Sequence, residues 1–308
     1  MRVATLSSFD ASVAQLQRRQ QDLSTAQERL TSGKRVLRAS DDPAAAGTAE
    51  RALAAESRAV SRQRALEASR NAMLLAEDAL GEAGELMQQV REQIVAAGNG
   101  SYTDAERQLA AASLRSLRDD LLAVANRQDG SGRFIFGGQG SGGLPLVDAP
   151  GGVIYAATAG QMQAATGEAT ALSVDGRAAF LQAPDPANPG ASISLFDVID
   201  QVATALETPN QTAAQIATAV STGIGQVDIV ADNLSSWRAE TGHALNRIDA
   251  VEDRLAQSKL DAQRERSGAE DLDMLSAISD FQNQQTGYDA ALKTYSIVQR
   301  MSLFDYVK

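Results

Sequence analysis

Apolar side chains repeat with heptad spacing close to both ends of the chain. In each segment the steps alternate between four and three residues, and glutamine occupies some of the positions. The positions are Phe9, Val13, Leu16, Gln20, Leu23, Gln27 and Leu30 near the start, and Met274, Ile278, Phe281, Gln285, Tyr288, Leu292 and Tyr295 near the end. Such spacing places a narrow stripe along one side of a helix and is typical of helices that pack lengthwise. The pattern predicts two terminal arms that pack against each other and against other copies of the chain.

Two longer heptad seams lie between the arms, and helix-capping residues separate them. The first seam runs from Leu66 to Ala97 and stops at a Gly-Asn-Gly segment, residues 98–100. A capping box at Thr103 opens a third helix, and another at Thr212 precedes the second seam. A further cap at Ser267 is predicted to begin the helix of the C-terminal arm. These features favour a long helical rod built from both halves of the chain.

The centre of the sequence has a different character. Five of the seven prolines lie between Pro145 and Pro189, and proline interrupts helices because it lacks the backbone donor. Short apolar runs at residues 134–136, 153–155 and 172–174 predict strands, and residues 174–177 fit a tight hairpin turn. The sequence therefore predicts a small β-rich insertion.

The fold class predicted from these elements is mainly α, in three parts. Residues 1–40 and 270–308 are expected to form a terminal coiled-coil domain, and residues 41–132 and 191–269 a helical rod domain. Residues 133–190 are expected to form the β-rich domain. The arm meets the rod at Asp41-Asp42-Pro43, where Asp42 can cap the new helix and Pro43 can occupy its first position. Capping explains the two aspartates more economically than a metal or acid pair does.

The composition points away from several classes of function. The formal charge of −11 disfavours nucleic acid or an anionic membrane as the main partner. The absence of cysteine excludes disulfides and thiolate metal sites. No stretch approaches the roughly 20 apolar residues of a membrane span, and the first residues lack the apolar run of a cleaved secretory signal. We expect a soluble protein that is either cytoplasmic or exported without a cleaved signal.

Candidate chemistry is sparse. His243 is the only histidine and has no nucleophile or acid partner near it in the sequence. Residues 138–143 match the letters of a dinucleotide-binding fingerprint, but they lead into Leu144-Pro145 and not into a helix. We therefore predict no catalytic residues, no cofactor and no metal. Enzymes are the least favoured class, and a signalling coiled coil is disfavoured by the β insertion and the lack of a membrane span.

Several polar residues weaken the terminal seams. Gln20, Gln27 and Gln285 occupy positions where an apolar side chain would contribute more to packing, although they favour one register. The arms are therefore expected to be loose in the monomer and to become ordered in an assembly. Beyond the last full heptad, Phe304 and Tyr306 are candidates for an interface or a chaperone contact.

Four tracts carry a resemblance to a known family. Residues 30–45 resemble the N-terminal signature of the flagellin superfamily, and residues 134–138 resemble the strand that follows its first helical run. Residues 238–247 are similar to the superfamily's C-terminal rod helix. Residues 271–306 resemble the subunits at the junction of flagellar hook and filament more than filament flagellins. The similar sequence covers residues 1–138 and about 194–308, and the centre corresponds to the superfamily's variable surface-exposed domain.

The resemblance implies a structural subunit that joins hook to filament in the bacterial flagellum. It implies self-assembly in a ring, contacts with a hook-side junction protein and with flagellin, and an extracellular location. It also implies unfolded export through the type III export apparatus and a cytoplasmic export chaperone, with no role for nucleic acid or membrane. The alternative is a filament-forming flagellin of compact size. The residues predicted to form the assembly interface are Leu16, Leu23, Leu30, Ile278, Phe281, Tyr288, Leu292 and Tyr295.

Overall fold

The computed structural model describes the backbone of residues 2–164 and 167–304, and the side chains of residues 10–164 and 167–297. The helices are α1 (Arg2–Ser32), α2 (Pro43–Ala97), α3 (Asp104–Ala125), α4 (Leu195–Glu207), α5 (Ala213–Glu270) and α6 (Met274–Phe304). Strands β1 (Leu146–Ala149) and β2 (Gly152–Tyr155) form one antiparallel pair, and β3 (Ala183–Pro184) and β4 (Ser192–Ile193) form another. The predicted mainly α fold is confirmed. Within the described ranges, no helix has a stretch apolar enough to cross a membrane.

The helix ends follow the local sequence. After α1, Gly33 adopts a φ of +71° and donates its N–H to the carbonyl of Arg29 at 2.9 Å, a geometry that commonly closes the C-terminus of a helix. Asp42 accepts from the Ala45 N–H at 3.0 Å, directly before Pro43. Thr103 and Glu106 form a complete capping box before α3, and Thr212 and Gln215 do the same before α5.

One predicted helix start is wrong. The chain does not begin a new helix at Ser267, because α5 continues to Glu270. The break follows it, at residues 271–273. There the carboxylate of Asp273 accepts from the Leu275 N–H at 3.0 Å and caps α6. A carboxylate at the free amides of a first turn accepts their hydrogen bonds and also interacts favourably with the positive end of the helix dipole.

The chain divides into two compact units. The first contains Met1–Ala59 and Gln257–Lys308, and the second contains Val60–Ala256. The first unit holds α1, α6, the start of α2 and the end of α5. The second holds the two long seams, α3, α4 and the insertion. The three-part division predicted from the sequence stays a prediction.

The second unit buries the α2 seam and most of the α5 seam. In α2, large apolar side chains alternate with small ones, and all are at most 2% exposed; they are Leu66, Ser69, Met73, Ala76, Leu80, Ala83, Met87, Val90, Ile94 and Ala97. In α5, Val227, Leu234 and Ile248 are each 1% exposed. Small residues permit close approach of the helices, and the large ones fill the space between them.

Only one of the three strands predicted for the insertion is present. Residues 153–155 lie in β2 as expected, but residues 134–136 and 172–174 form only isolated bridges and single hydrogen bonds. Ile135, Phe136 and Val174 are buried all the same, and Phe134 and Leu172 are half-buried. Phe136 packs edge-on against Phe180, with ring centroids 4.9 Å apart. A short apolar run thus indicates burial and does not by itself distinguish a strand from a turn.

The predicted hairpin at residues 174–177 is wrong. The carboxylate of Asp175 accepts from the Arg177 N–H at 3.0 Å, and Gly176 has a right-handed helical φ of −65°. The chain therefore enters a π-helical turn at Arg177–Leu181. From α5, the side-chain amide of Asn233 donates to the carbonyls of Ala178 and Ala179 in this turn, at 3.1 and 2.8 Å. These tertiary hydrogen bonds stabilise a conformation that the turn residues alone do not specify.

Helix α4 was not identified from the sequence. Ser194 caps it by accepting from the Asp197 N–H at 3.3 Å. Its apolar residues are buried on one side of the helix; they are Leu195, Phe196, Val198, Ile199, Val202, Ala203 and Leu206. The Ser-x-x-Asp cap before a helical apolar pattern was the available signal.

Two glycines of α5 provide a matched test of this packing. A Cβ at Gly223 would lie 2.4 Å from Cγ2 of Val202 in α4, whereas a Cβ at Gly225 would meet nothing within 4 Å. Gly223→Ala is therefore expected to lower the free energy of unfolding by about 1–3 kcal/mol. Gly225→Ala is expected to raise it by about 0.5–1 kcal/mol, because alanine favours the helix. Urea denaturation of both variants measures the difference, and equal effects would contradict the assigned contact.

Candidate assembly surface

Helices α1 and α6 pack side by side in opposite directions. Near one end, the Leu272 N–H donates to the carbonyl of Gly33 at 2.9 Å, and Lys34 forms an antiparallel bridge with Asp271. Towards the other end, the guanidinium of Arg19 lies against Gly287, 2.8 Å from where a Cβ would stand. The two terminal arms therefore meet within one chain.

The groove between these helices is largely polar. It is lined by Asp22, Thr25, Ala26, Arg29, Arg35, Leu272, Asp273, Ser276, Ala277, Asp280 and Gln284. The Nε atom of Arg29 is buried there without a hydrogen-bond partner in the described part of the chain. Leu23 and Leu30 each follow a groove residue by one position, so they lie about 100° further around α1. The apolar seam of α1 is thus displaced from the groove.

The predicted interface residues lie beside this groove and are incompletely buried. Leu16, Leu23 and Leu30 of α1 are half-buried, as are Phe281, Tyr288 and Tyr295 of α6. Ile278 and Leu292 are exposed to 44% and 41%. Their role in assembly stays a prediction. Phe304 ends α6, but its side chain is not described, and Tyr306 lies outside the described residues.

Further apolar residues of α6 were missed in the sequence. Leu275 is 83% exposed and Ile297 is 56% exposed, although neither belongs to the heptad seam. Together with Met274, Ile278 and Leu292 they form what we call the exposed apolar face of α6. A group of this kind on one helix is unusual for a protein surface and is typical of an interaction site. No periodic signal marked Leu275 and Ile297, because only the packing shows which side of α6 remains uncovered.

The turn between α1 and α2, which we call the arm–rod turn (residues 33–42), is held by carboxylates. One oxygen of Asp41 accepts from the N–H groups of Leu37 and Arg38, both at 3.1 Å. Asp42 pairs with Arg35 at 3.3 Å in addition to capping α2. Arg35 also donates to the carbonyl of Ala269 at 2.8 Å. The turn is therefore joined to the end of α5. Asp42 caps α2, whereas Asp41 binds amides that precede it in the turn.

These hydrogen bonds lower the pKa values of the two aspartates in the turn. The backbone N–H groups of Arg38 and Leu37 lower the pKa of Asp41. The Ala45 N–H and then the Arg35 side chain lower the pKa of Asp42. Donors that bind the charged form favour ionisation. Both carboxylates therefore stabilise the turn when they are ionised, above their ordinary pKa of 3.8, and lose this effect as the pH falls through their lower folded values.

The arm–rod turn is expected to open in acid. As the pH falls through the lowered pKa values of Asp41 and Asp42, below 3.8, protonation weakens the hydrogen bonds that they accept from the Leu37, Arg38 and Ala45 amides. The amide chemical shifts of these residues are expected to move together in an acid titration followed by NMR. In Asp41→Asn, the amide chemical shifts of Leu37 and Arg38 should lose most of their pH dependence, while that of Ala45 should keep it. Unchanged titration of all three amides in that variant would contradict the assignment.

His243, the only histidine of the sequence, is not among the residues of these surfaces. It is exposed on α5, in the second unit and outside the arms. The features that could support a function are therefore the exposed apolar face of α6, the half-buried seam of α1 and the arm–rod turn.

The chain is similar to known proteins at both ends. The family model described as the bacterial flagellin N-terminal helical region matches residues 3–141, and the bacterial flagellin C-terminal helical region matches residues 224–307. Flagellar hook-associated protein 3 of Salmonella typhimurium is 28% identical, over 99% of each chain. Its namesake from Escherichia coli is 29% identical, over 91% of this chain and 92% of the relative.

The fold is also similar to that of solved structures. A putative flagellar hook-associated protein from Vibrio parahaemolyticus superposes with a TM-score of 0.66 at 20% identity. The match covers 75% of this chain and 100% of that chain. At this level of identity the likeness concerns the fold.

Proposed function

Because the chain belongs to the flagellin family, we propose that it is a structural subunit of the bacterial flagellum that joins the hook to the filament. The predicted membership of the flagellin superfamily is confirmed by the two helical-region matches. The proposal of the junction position is supported by relatives named hook-associated protein 3 that align along nearly the whole chain. The proposed location is therefore extracellular, in the flagellum.

The exposed apolar face of α6 carries this proposal. Leu275, Ile278 and Leu292 are 83%, 44% and 41% exposed, although α6 already packs against α1. Full burial of one such side chain contributes about 1.5–3 kcal/mol. The polar groove between α1 and α6 cannot supply that burial. Neighbouring subunits with the same helices can, because their half-buried α1 seams offer matching apolar positions.

The proposed mechanism is heterotypic helix packing around a ring. Leu16, Leu23 and Leu30 of one subunit contact Ile278, Phe281, Tyr288, Leu292 and Tyr295 of the same and of adjacent subunits. The hook-side junction protein and flagellin would be the neighbours at the two faces of the ring. Before assembly, a cytoplasmic chaperone would cover the end of α6 around Phe304 and Tyr306, and the type III apparatus would export the chain.

Deletion of the gene separates this function from the alternative, a compact filament flagellin. Cells that lack a junction subunit are expected to export flagellin that cannot polymerise, so monomeric flagellin accumulates in the medium. Cells that lack their filament subunit have no such protein to release. Immunoblots of culture supernatants, with the wild-type gene restored on a plasmid as the control, measure the difference. An absence of released flagellin together with normal hooks would refute the junction role.

Cross-linking tests the contact itself. The chain contains no cysteine, so Ile278→Cys introduces one thiol on the exposed apolar face of α6. Oxidation of isolated flagella is expected to link neighbouring subunits when Leu23→Cys is present as well. The matched control is Glu67→Cys, an exposed position of α2 outside the arms. Equal cross-linking from the control site would contradict the proposed contact.

A further inference from the structure

The turn between α2 and α3 holds an asparagine in an unusual set of contacts. Asn99 follows the end of α2, and Asn99, Gly100 and Ser101 are all exposed. The side-chain carbonyl of Asn99 accepts from the Ser101 N–H at 3.2 Å and from the Ser101 hydroxyl at 3.0 Å. Two donors thus point at a single amide oxygen, and a hydrogen bond to the residue two places ahead folds the side chain over the Gly100 peptide.

These contacts favour attack on the side-chain amide by the next backbone nitrogen. Negative charge develops on the amide oxygen during such an attack, and donors already directed at that oxygen stabilise it. Gly100 has no side chain to obstruct the approach, and a Cβ there would meet nothing within 4 Å. Glycine also reaches the required backbone conformations most easily. The remaining asparagines, at positions 71, 126, 188, 210, 233, 246 and 283, are not followed by glycine.

We propose that Asn99 is a site of spontaneous deamidation. The Gly100 nitrogen loses its proton and forms a bond to the Asn99 side-chain carbon, and the bond from that carbon to the side-chain nitrogen breaks. The departing nitrogen takes up protons and leaves as ammonia, and a cyclic imide remains. Water then opens the imide at either carbonyl. The products are aspartate and isoaspartate. In isoaspartate the peptide bond to Gly100 is formed by the side-chain carboxyl carbon.

The chain contains a natural comparison at Asp129-Gly130-Ser131. There one carboxylate oxygen of Asp129 accepts from the Ser131 N–H at 2.8 Å and from its hydroxyl at 2.7 Å. We call this arrangement, in which one side-chain oxygen accepts from both donors of the serine two residues ahead, the serine fork. Asp129 also binds Arg133, and its pKa is lowered to about 2 by hydrogen bonds that outweigh its burial. An ionised carboxylate resists nucleophilic attack. The two tripeptides thus share these two serine donors, and an amide accepts from them in one and an ionised carboxylate in the other.

Deamidation would change the end of α2. It introduces a negative charge next to the last turn of a helix that has no basic residue there, and a helix C-terminus disfavours negative charge. The isoaspartate product also adds a methylene to the backbone of the α2–α3 turn. The modification would accumulate with age in a subunit that is not replaced, and it does not depend on the proposed junction role.

The test incubates the purified full-length chain in mildly alkaline buffer and follows each asparagine by peptide mass spectrometry. Enzymatic methylation of isoaspartate identifies the second product. Asn99 is expected to convert faster than every other asparagine. Ser101→Ala removes the hydroxyl donor and is expected to slow the conversion about fivefold, the factor that corresponds to one hydrogen bond of ordinary net strength. Circular dichroism establishes that each variant retains its helices.

Asp129→Asn supplies the complementary test, because it places an amide in the second fork. This variant is expected to gain a deamidating site at position 129 while Asn99 keeps its own rate. An Asn99 that converts no faster than the other asparagines would overturn the proposal. An unchanged rate in Ser101→Ala, or an Asp129→Asn chain that remains unmodified there, would overturn the role assigned to the serine fork.

Discussion

A Leu23→Asp chain is expected to fold and yet fail to enter the flagellum. Leu23 lies on the α1 seam, beside the groove and half-buried, so the aspartate can remain solvated in the free chain. In an assembly the position becomes covered. Burial of a leucine contributes about 1.5–3 kcal/mol, and an unpaired carboxylate in the same place is unfavourable. Incorporation is therefore expected to fall by more than about tenfold.

The measurement combines swimming assays with the content of the variant in isolated flagella. The matched control is Ser24→Asp, which adds the same charge at the adjacent, exposed position of α1. Circular dichroism is expected to give the same melting transition for both variants, because the second unit buries its core without the arms. Intact filaments and normal swimming with Leu23→Asp would refute the role of the α1 seam.

Arg118→Ala is expected to destabilise the second unit by about 2–3 kcal/mol, the loss of charge-assisted hydrogen bonds at a nearly buried site. Arg118 in α3 is 8% exposed. Its guanidinium donates to Asp200 of α4 at 2.9 Å and binds both carboxylate oxygens of Asp148 in β1. It also lies 5.7 Å from the ring centre of Phe196. One side chain thus joins α3, α4 and the first hairpin.

Arg91→Ala provides the control, because Arg91 makes a single ion pair with Asp228 at 2.9 Å and both side chains are about half exposed. Such a pair contributes less than about 1 kcal/mol. Urea denaturation should therefore separate the two variants clearly. Arg118 lowers the pKa of Asp148, so its contribution is present above the ordinary pKa of 3.8 and is lost as the pH falls. The difference between wild type and Arg118→Ala should shrink in acid, and equal losses for both arginine variants would contradict this assignment.

The helical part of the fold was predictable because its signals are local. The ten heptad positions from Leu66 to Ala97 are all buried, and Asp42, Thr103 and Thr212 marked helix ends that the structure contains. These residues act on their own helix through spacing and through free backbone amides. Such effects need no knowledge of distant parts of the chain.

The insertion could not be predicted in the same way. Residues 134–136 and 172–174 are buried or half-buried, but aromatic packing and hydrogen bonds from other elements decide their backbone conformation. Asn233 stabilises a π-helical turn from 55 residues away in the sequence. The length of each apolar run carried no information about these partners.

The candidate assembly surface lies between these two cases. The seam positions of α1 and α6 were visible in the sequence, and so was their incomplete apolar character. The sequence did not show that the seam residues lie outside the groove between α1 and α6, which is lined by other residues such as Ala26 and Ala277. For that reason Leu275 and Ile297 became candidates only when their exposure was known.

By itself the sequence determined which segments are helical, where most of them begin and end, and which family the chain belongs to, because periodicity, caps and signature tracts are properties of neighbouring residues. Only the tertiary structure decided which sides of α1 and α6 remain uncovered and how the insertion folds. Those features arise from contacts between residues far apart in the chain, and the periodicity of a segment does not identify a partner that is distant in the sequence.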